Sequence, residues 1–304
     1  EAVKWFRLAA AQGHASAQFN LGAMYYEGKG VTRAYTEAVK WFRLAAAQGH
    51  ASAQSNLGAM YENGRGVTRD DVEAVKWYRL ATAQGDPIAQ SNFGAMYHQG
   101  RGVTRDSAEA MKWFRLAAAK GNALAQTNLG VMYRDGQGVA QNHVEAVKWF
   151  RLAAAQGEAS AQSRLGAMYT NGWAVTQDYI EAVKWYRLAA ARGDASAQSN
   201  LGVMYQRGQG VKQDYVEAVK WYKLAAAQGL DLAQSNLGAM YANGWGVTQD
   251  YVRAHSWLHI AAANGDADAV STRDKVSTKM TPQQIGEAQT MAQACQARSF
   301  RDCN

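Results

Sequence analysis

Proline is nearly absent from this chain, at two residues in 304, where average usage of about 5% would supply roughly fifteen. Cysteine is equally scarce, and two thiols exclude both a disulfide framework and a four-thiolate zinc site. No apolar run approaches the ~18 residues that a membrane-spanning helix needs, which excludes an integral membrane protein of that kind. Charged residues make up 19% against 48% apolar, so a disordered polyelectrolyte is excluded and a large core is affordable. Glycine is plentiful at 29 but does not fall at every third position, which rules out collagen. The length suits two or three ordinary domains, or one elongated one.

What is present is a repeat. Trp5, Trp41, Trp77, Trp113, Trp149, Trp185, Trp221 and Trp257 stand 36 residues apart, with no insertion or deletion between them. Each period reads as two helices. In the period from His50 to Gly85 the first helix, about 51–63, aligns Ala53, Leu57, Met60, Tyr61 and Gly64 on one stripe. The second, about 72–84, aligns Ala74, Trp77, Tyr78, Leu80 and Ala81 in the same way. Asp70, Asp106, Asp178, Asp214 and Asp250 are predicted N-caps, and Glu73, Glu109, Glu181 and Glu217 three residues on make an acidic capping box. Asp86-Pro87 is a second kind of helix start. Gly13, Gly49, Gly85 and their successors end the second helices. Gly22, Gly58 and their successors fall inside the first helices, where each costs roughly 0.5–1 kcal/mol relative to Ala; close helix–helix approach is the expected reason. Gly64-Arg-Gly66 lacks the third glycine and the preceding strand of a phosphate cradle.

A hairpin of this size cannot bury its apolar face alone, so stacked neighbours must supply the core. The expected fold is all-α: a right-handed α-solenoid with a concave and a convex face. The pattern Ala-x-Ala-Gln-x-Asn-Leu-Gly-x-Met-Tyr-x-x-Gly-x-Gly-Val, followed by Glu-Ala-x-Lys-Trp-Tyr-x-Leu-Ala-Ala, resembles the Sel1-like repeat family, a relative of the tetratricopeptide repeats, over residues 1 to about 265. The resemblance implies a scaffold or adaptor with a protein or peptide partner. Some members of that family are linked to β-lactam binding or hydrolysis. This chain has no activated nucleophile and lacks the disulfide per repeat of that subgroup, so an enzyme is not expected.

Organisation follows from the period: 1–13 as the second helix of a truncated repeat, 14–265 as seven complete repeats, and 266–304 as a degenerate repeat helix, a capping helix and a tail. The start inside a period, without Met or signal peptide, suggests a fragment or processed form. Thr281-Pro282-Gln283-Gln284 starts the final helix, the polar cap that a solenoid needs. No cap is visible at the other end, so the face around Trp5 and Leu8 is an expected homodimer contact.

Sites of chemistry are few. There is no nucleophile elbow, zincin helix, Walker loop or Ser-x-x-Lys, and no cofactor is implied. His255 and His259 are four apart on one helix, but no third ligand joins them, so a surface pair is expected rather than a metal site. Cys295 and Cys303 are eight apart, and a fold-back of 299–302 would bring them within disulfide range, which would imply an oxidising compartment such as a periplasm or the exterior.

The candidate working surface is the concave face. Asn20, Asn56, Asn92, Asn128, Asn200 and Asn236 recur at one position on it. An amide offers both donor and acceptor, so the series either pairs with an extended peptide backbone or fixes the stacking of neighbouring repeats. In the related tetratricopeptide repeats the matching position contacts peptides. Arg164 replaces Asn in the fifth hairpin, and Arg134 and Arg207 fall near the groove edge, a set able to clamp a carboxylate. Phe19 replaces the usual Ser beside Tyr26 and suggests an apolar pocket. Trp173 and Trp245 stand at a loop position otherwise held by Lys, Arg or Gln, either as exposed anchors or as packing between loops.

The net charge of +7 suggests nucleic acid only until it is located. Seven second helices each carry one Glu and two basic residues, from Glu1, Lys4 and Arg7 to Glu217, Lys220 and Lys223, and the remainder is neutral. No nucleic-acid partner is therefore expected. The rival to a groove binder is an assembly protein that associates through its repeat ends.

Overall fold

Asp70 shows how each second helix begins. Its backbone is extended and its carboxylate accepts hydrogen bonds from the Val72 and Glu73 N–H groups, and Asp106 and Asp178 do the same in their own periods. Gly64 shows how each first helix ends, with φ +63° and its N–H bonded back to the Met60 and Tyr61 carbonyls. The computed structural model describes residues 2–300 and Cys303. Among the described residues there are seventeen helices and no strand.

The chain divides into two compact units, residues 1–153 and 154–304. The first holds α1 (Ala2–Ala11), α2 (Ala15–Glu27), α3 (Tyr35–Ala47), α4 (Ala51–Asn63), α5 (Asp71–Ala83), α6 (Pro87–Gln99), α7 (Ser107–Ala119) and α8 (Ala123–Asp135), with α9 (His143–Ala155) at its end. The second holds α10 (Ala159–Asn171), α11 (Tyr179–Ala191), α12 (Ala195–Arg207), α13 (Tyr215–Ala226), α14 (Asp231–Asn243), α15 (Tyr251–Ala263), α16 (Ala267–Ser277) and α17 (Pro282–Ala297). Each unit is a stack of αα-hairpins, and at the end of the second both α16 and α17 pack on α15. Successive first helices also touch, α4 with α6 and α10 with α12, which makes the first-helix side the inner one in each unit.

The core repeats with the sequence. Ala38, Val39, Phe42, Ala45, Ala46, Ala53, Leu57 and Met60 form one buried cluster, and Ala182, Val183, Tyr186, Ala189, Ala190, Ala197, Leu201 and Met204 its counterpart in the second unit. Each buried Leu or aromatic contributes about 1.5–3 kcal/mol. The glycines inside the first helices allow this packing: a Cβ on Gly58 would lie 2.8 Å from the Tyr78 ring, and one on Gly94 2.9 Å from Phe114. One expected core residue is not there. Leu80 is half exposed, as are Leu44, Leu116, Leu188 and Leu224, and Val75 takes the buried place. The reason is angular. At about 100° per residue, Leu80 points roughly opposite to the buried face set by Ala74, Tyr78 and Ala81.

Two further expectations are corrected. The acidic capping boxes do not close, because Glu73, Glu109 and Glu181 pair instead with Lys76, Lys112 and Lys184 at 2.8, 3.0 and 2.8 Å. A capping box does form at Thr281, where the Gln284 side chain returns to the Thr281 N–H. His255 is not a surface residue: it is buried in α15, with its ring 6.1 Å from His259. At the C-terminus Ser299 and Phe300 adopt positive φ, the tail turns back, and Cys303 joins Cys295 in a disulfide with Cα atoms 5.1 Å apart.

Candidate inner-face site

Stacking between hairpins is done by glutamine, a role that helical periodicity does not reveal. Gln54 is buried and donates to the Ala46 carbonyl at 3.1 Å, while its own Oε1 accepts from Gln84 at 2.8 Å. Gln18 with Gln48 and Gln198 with Gln228 repeat the relay. With that role filled, the asparagines two residues along are left for something else. Asn20, Asn56, Asn128, Asn200 and Asn236 are half-buried on the inner side, and none makes a side-chain hydrogen bond with another described residue. Asn92 alone in this series does, donating to the Tyr78 hydroxyl at 3.3 Å.

A second series lines the same side. The residues 26, 62, 98, 134, 170, 206 and 242 each lie sixteen positions before the large core side chain of the next helix, and they vary from repeat to repeat as Tyr, Glu, His, Arg, Thr, Gln and Ala. Where the core residue is Tyr, its hydroxyl reaches this partner: Tyr78 donates to Glu62 at 2.7 Å, Tyr186 meets Thr170 at 3.2 Å, and Tyr222 donates to Gln206 at 2.6 Å. Burial pushes all three phenols above the ordinary tyrosine range, and the Glu62 carboxylate pushes Tyr78 further. Arg101 completes that cluster with ion pairs of 2.9 Å to Glu62 and 2.7 Å to Asp71. Hydrogen bonds from Arg101 and Arg69 hold the Asp71 carboxyl down at about 2.

Phe42 has no hydroxyl, and there the inner side opens. A cavity of about 90 Å³ is lined by Tyr26, Phe42, Asn56, Ala59 and Met60. Arg65 closes its rim, donating to the Tyr26 hydroxyl and lying 5.8 and 6.0 Å from the Tyr26 and Tyr35 ring centroids. Phe19 does not line the cavity; its ring stacks on His50 at 4.8 Å and leans on Phe42 at 5.9 Å.

The three arginines expected to form a clamp have different surroundings. Arg134 is bound to Asp135 at 2.7 Å, Arg164 is half-buried with its Nε donating to the Ser160 hydroxyl at 3.3 Å, and Arg207 is exposed at the end of α12. Trp245 packs across loops, stacked on Tyr215 at 5.6 Å, and stays 41% exposed. Trp5 and Leu8 are exposed, but half-exposure is the rule for the repeat's leucine and does not mark Leu8 out. No group of three or more His, Cys, Asp or Glu that could hold a metal occurs among the described residues. No helix among them is long and apolar enough to cross a membrane.

The Sel1 repeat model matches residues 1–14, 15–50, 51–86, 87–122, 123–158, 159–194, 195–230 and 231–266. Among solved structures, the chain is similar to a Sel1 repeat protein from Oxalobacter formigenes, with 36% identity and a TM-score of 0.68 over 90% of this chain and 79% of that one. It is also similar to c5321, a protective antigen present in uropathogenic Escherichia coli strains that displays the same repeat fold, with 32% identity and a TM-score of 0.47 over 98% and 80% of the two chains. An immunity protein of Pseudomonas aeruginosa, PA5088, shares the fold at 22% identity and a TM-score of 0.51, over 70% and 80%. None of the curated proteins matches the sequence.

Proposed function

This chain belongs to the Sel1 repeat family, and from that premise we propose that it binds an extended segment of a partner protein along the inner, first-helix side of its hairpins. Sel1 repeat proteins are generally protein–protein interaction scaffolds, and their fold is typically non-enzymatic. The finer reading rests on one observation. Five of the six recurring asparagines carry amides without a side-chain partner among the described residues, while the neighbouring glutamines do the stacking. An amide at the same place in successive hairpins can give and take one hydrogen bond each from an extended backbone, whatever its side chains. Each such bond is worth about 0.5–1.5 kcal/mol net, so several in register are needed for useful affinity. In the second unit, Arg164 stands in this series between Asn128 and Asn200 in sequence, and favours an acidic part of the ligand there.

Site-specific photo-crosslinking tests the assignment. A photoreactive side chain at Asn56 or Asn200 is expected to capture protein from an extract, and one at Leu80 or Leu224 on the outer helices is not. Arg164→Glu is expected to weaken capture from Asn200. Equal crosslinking from inner and outer positions would remove the inner face as the site.

A further inference from the structure

We infer that the first unit selects its ligand through one pocket, which takes a single medium-sized aliphatic side chain beside a carboxylate. The inference rests on the peptide-binding reading above and goes beyond it by naming what is recognised.

The pocket exists because of a substitution within the repeat. Tyr78, Tyr186 and Tyr222 each send a hydroxyl to the residue sixteen positions earlier, and so fill the space above the core ring with a polar contact. Phe42 sends none. Its partner Tyr26 leans instead toward Tyr35, at 5.4 Å between ring centroids, and a space beside Tyr26 opens over Phe42, Ala59 and Met60. The floor is therefore apolar. A volume of about 90 Å³ has room for one branched or unbranched aliphatic side chain. Phe recurs at the core position as Phe114 and Phe150, where the residues matching Ala59 are Val131 and Ala167 and those matching Asn56 are Asn128 and Arg164.

The walls specify the neighbours of that side chain. Asn56 lines the pocket with an amide that has no other described partner, so a ligand backbone passing over the pocket meets a donor and an acceptor there. Arg65 sits on the rim, exposed, with one N–H on the Tyr26 hydroxyl and no carboxylate among the described residues paired with it. The acidic groups around it are engaged: Glu27 with Lys29 at 2.6 Å, and Glu62 with Arg101 and Tyr78. The remaining guanidinium donors, held in place by two aromatic rings, match a carboxylate. An acidic side chain and a chain terminus both supply that group.

A positional library of decapeptides, made as C-terminal acids and as C-terminal amides, tests this on the full chain. Wild-type protein is expected to retain peptides with Val, Leu, Ile or Met next to Asp or Glu. Retention in both forms assigns the carboxylate to a side chain, and in the acid form alone to the terminus. Phe42→Tyr places in this repeat the residue that three others already use, and is expected to weaken these peptides about tenfold, or about 1.4 kcal/mol, with an unchanged circular dichroism spectrum. Arg65→Gln, at an exposed position, is expected to abolish the preference for acid while keeping the preference for aliphatic residues. Peptide binding whose preferences survive both substitutions overturns the pocket and leaves the inner-face reading standing. Failure of wild-type protein to retain any peptide overturns the inner-face reading itself.

Discussion

Gly130 lies so close to Phe150 that a Cβ added to it would sit 2.4 Å from the ring. The helix carries a flexible residue at this place because nothing larger fits between α8 and α9. Gly130→Ala gains about 1 kcal/mol of helix propensity and incurs an overpacking cost of about 1–3 kcal/mol, so a net loss of stability is expected in urea denaturation. Gly286, inside α17 with nothing within 4 Å of an added Cβ, is the control: Gly286→Ala is expected to stabilise by about 0.5–1 kcal/mol. The opposite signs separate packing from propensity.

Arg101 and Asp71 give the first unit an acid-sensitive contact. The folded Asp71 carboxyl is held at about 2, below its ordinary value of 3.8. Its contribution is therefore present above pH about 4 and is lost as pH falls toward 2, because the unfolded chain takes up the proton first. Arg101→Met is expected to cost about 1–2 kcal/mol at neutral pH. The difference from wild type should shrink across that acid window, as followed by denaturation at a series of pH values.

His255 acts in a different range. Burial, with His259 and Arg273 nearby, holds it below the ordinary histidine range, against a smaller opposing effect of Asp274. The folded state resists charging it, so below pH about 6.5 the unfolded state binds the extra proton and stability falls with falling pH. The seven other periods carry Val or Met at this place. His255→Val is expected to flatten the profile between pH about 6.5 and 5, as read by thermal melting of the full chain.

The bridge between Cys295 and Cys303 anchors the end of α17. Closing a loop of about nine residues is worth roughly 2–3 kcal/mol in the chain-entropy account. Cys303→Ser is expected to speed hydrogen exchange at the last turn of α17 and to leave exchange in α3–α7 unchanged.

Local rules made much of the fold legible from sequence. Asp70, Gly64 and Thr281 cap as their residue types require, and Gly58 marks close approach because no local reason exists for glycine in mid-helix. Leu80 was misplaced because its period-mates are apolar on both sides of the helix, so periodicity alone did not separate the buried face from the outer one. Glu73 does not close a capping box because the Asp70 N–H it would accept from is already donated to the Tyr61 carbonyl, which leaves Glu73 to pair with Lys76. At the candidate site, the position of the asparagines was readable but not which polar residue does the stacking, since Gln54 and Asn56 both carry amides and stand two residues apart on one helix. The pairing of Tyr78 with Glu62 and Tyr222 with Gln206 left a signal that comparison of the periods would have found: the core position alternates between Tyr and Phe together with its partner.

The unbroken spacing of 36 residues has a consequence for how such a chain changes in descent. Gln54 reaches the Ala46 carbonyl and Gln90 is its counterpart one period on. If recombination between the similar repeats removed residues 51–86, Gln90 would take the place of Gln54 below Ala46 and the helix starts and ends would stay in step. The array can therefore lengthen or shorten by whole hairpins in single genetic events, each product folding by contacts already in use, while selection acts on the few positions, such as 26, 42 and 65, where the copies differ.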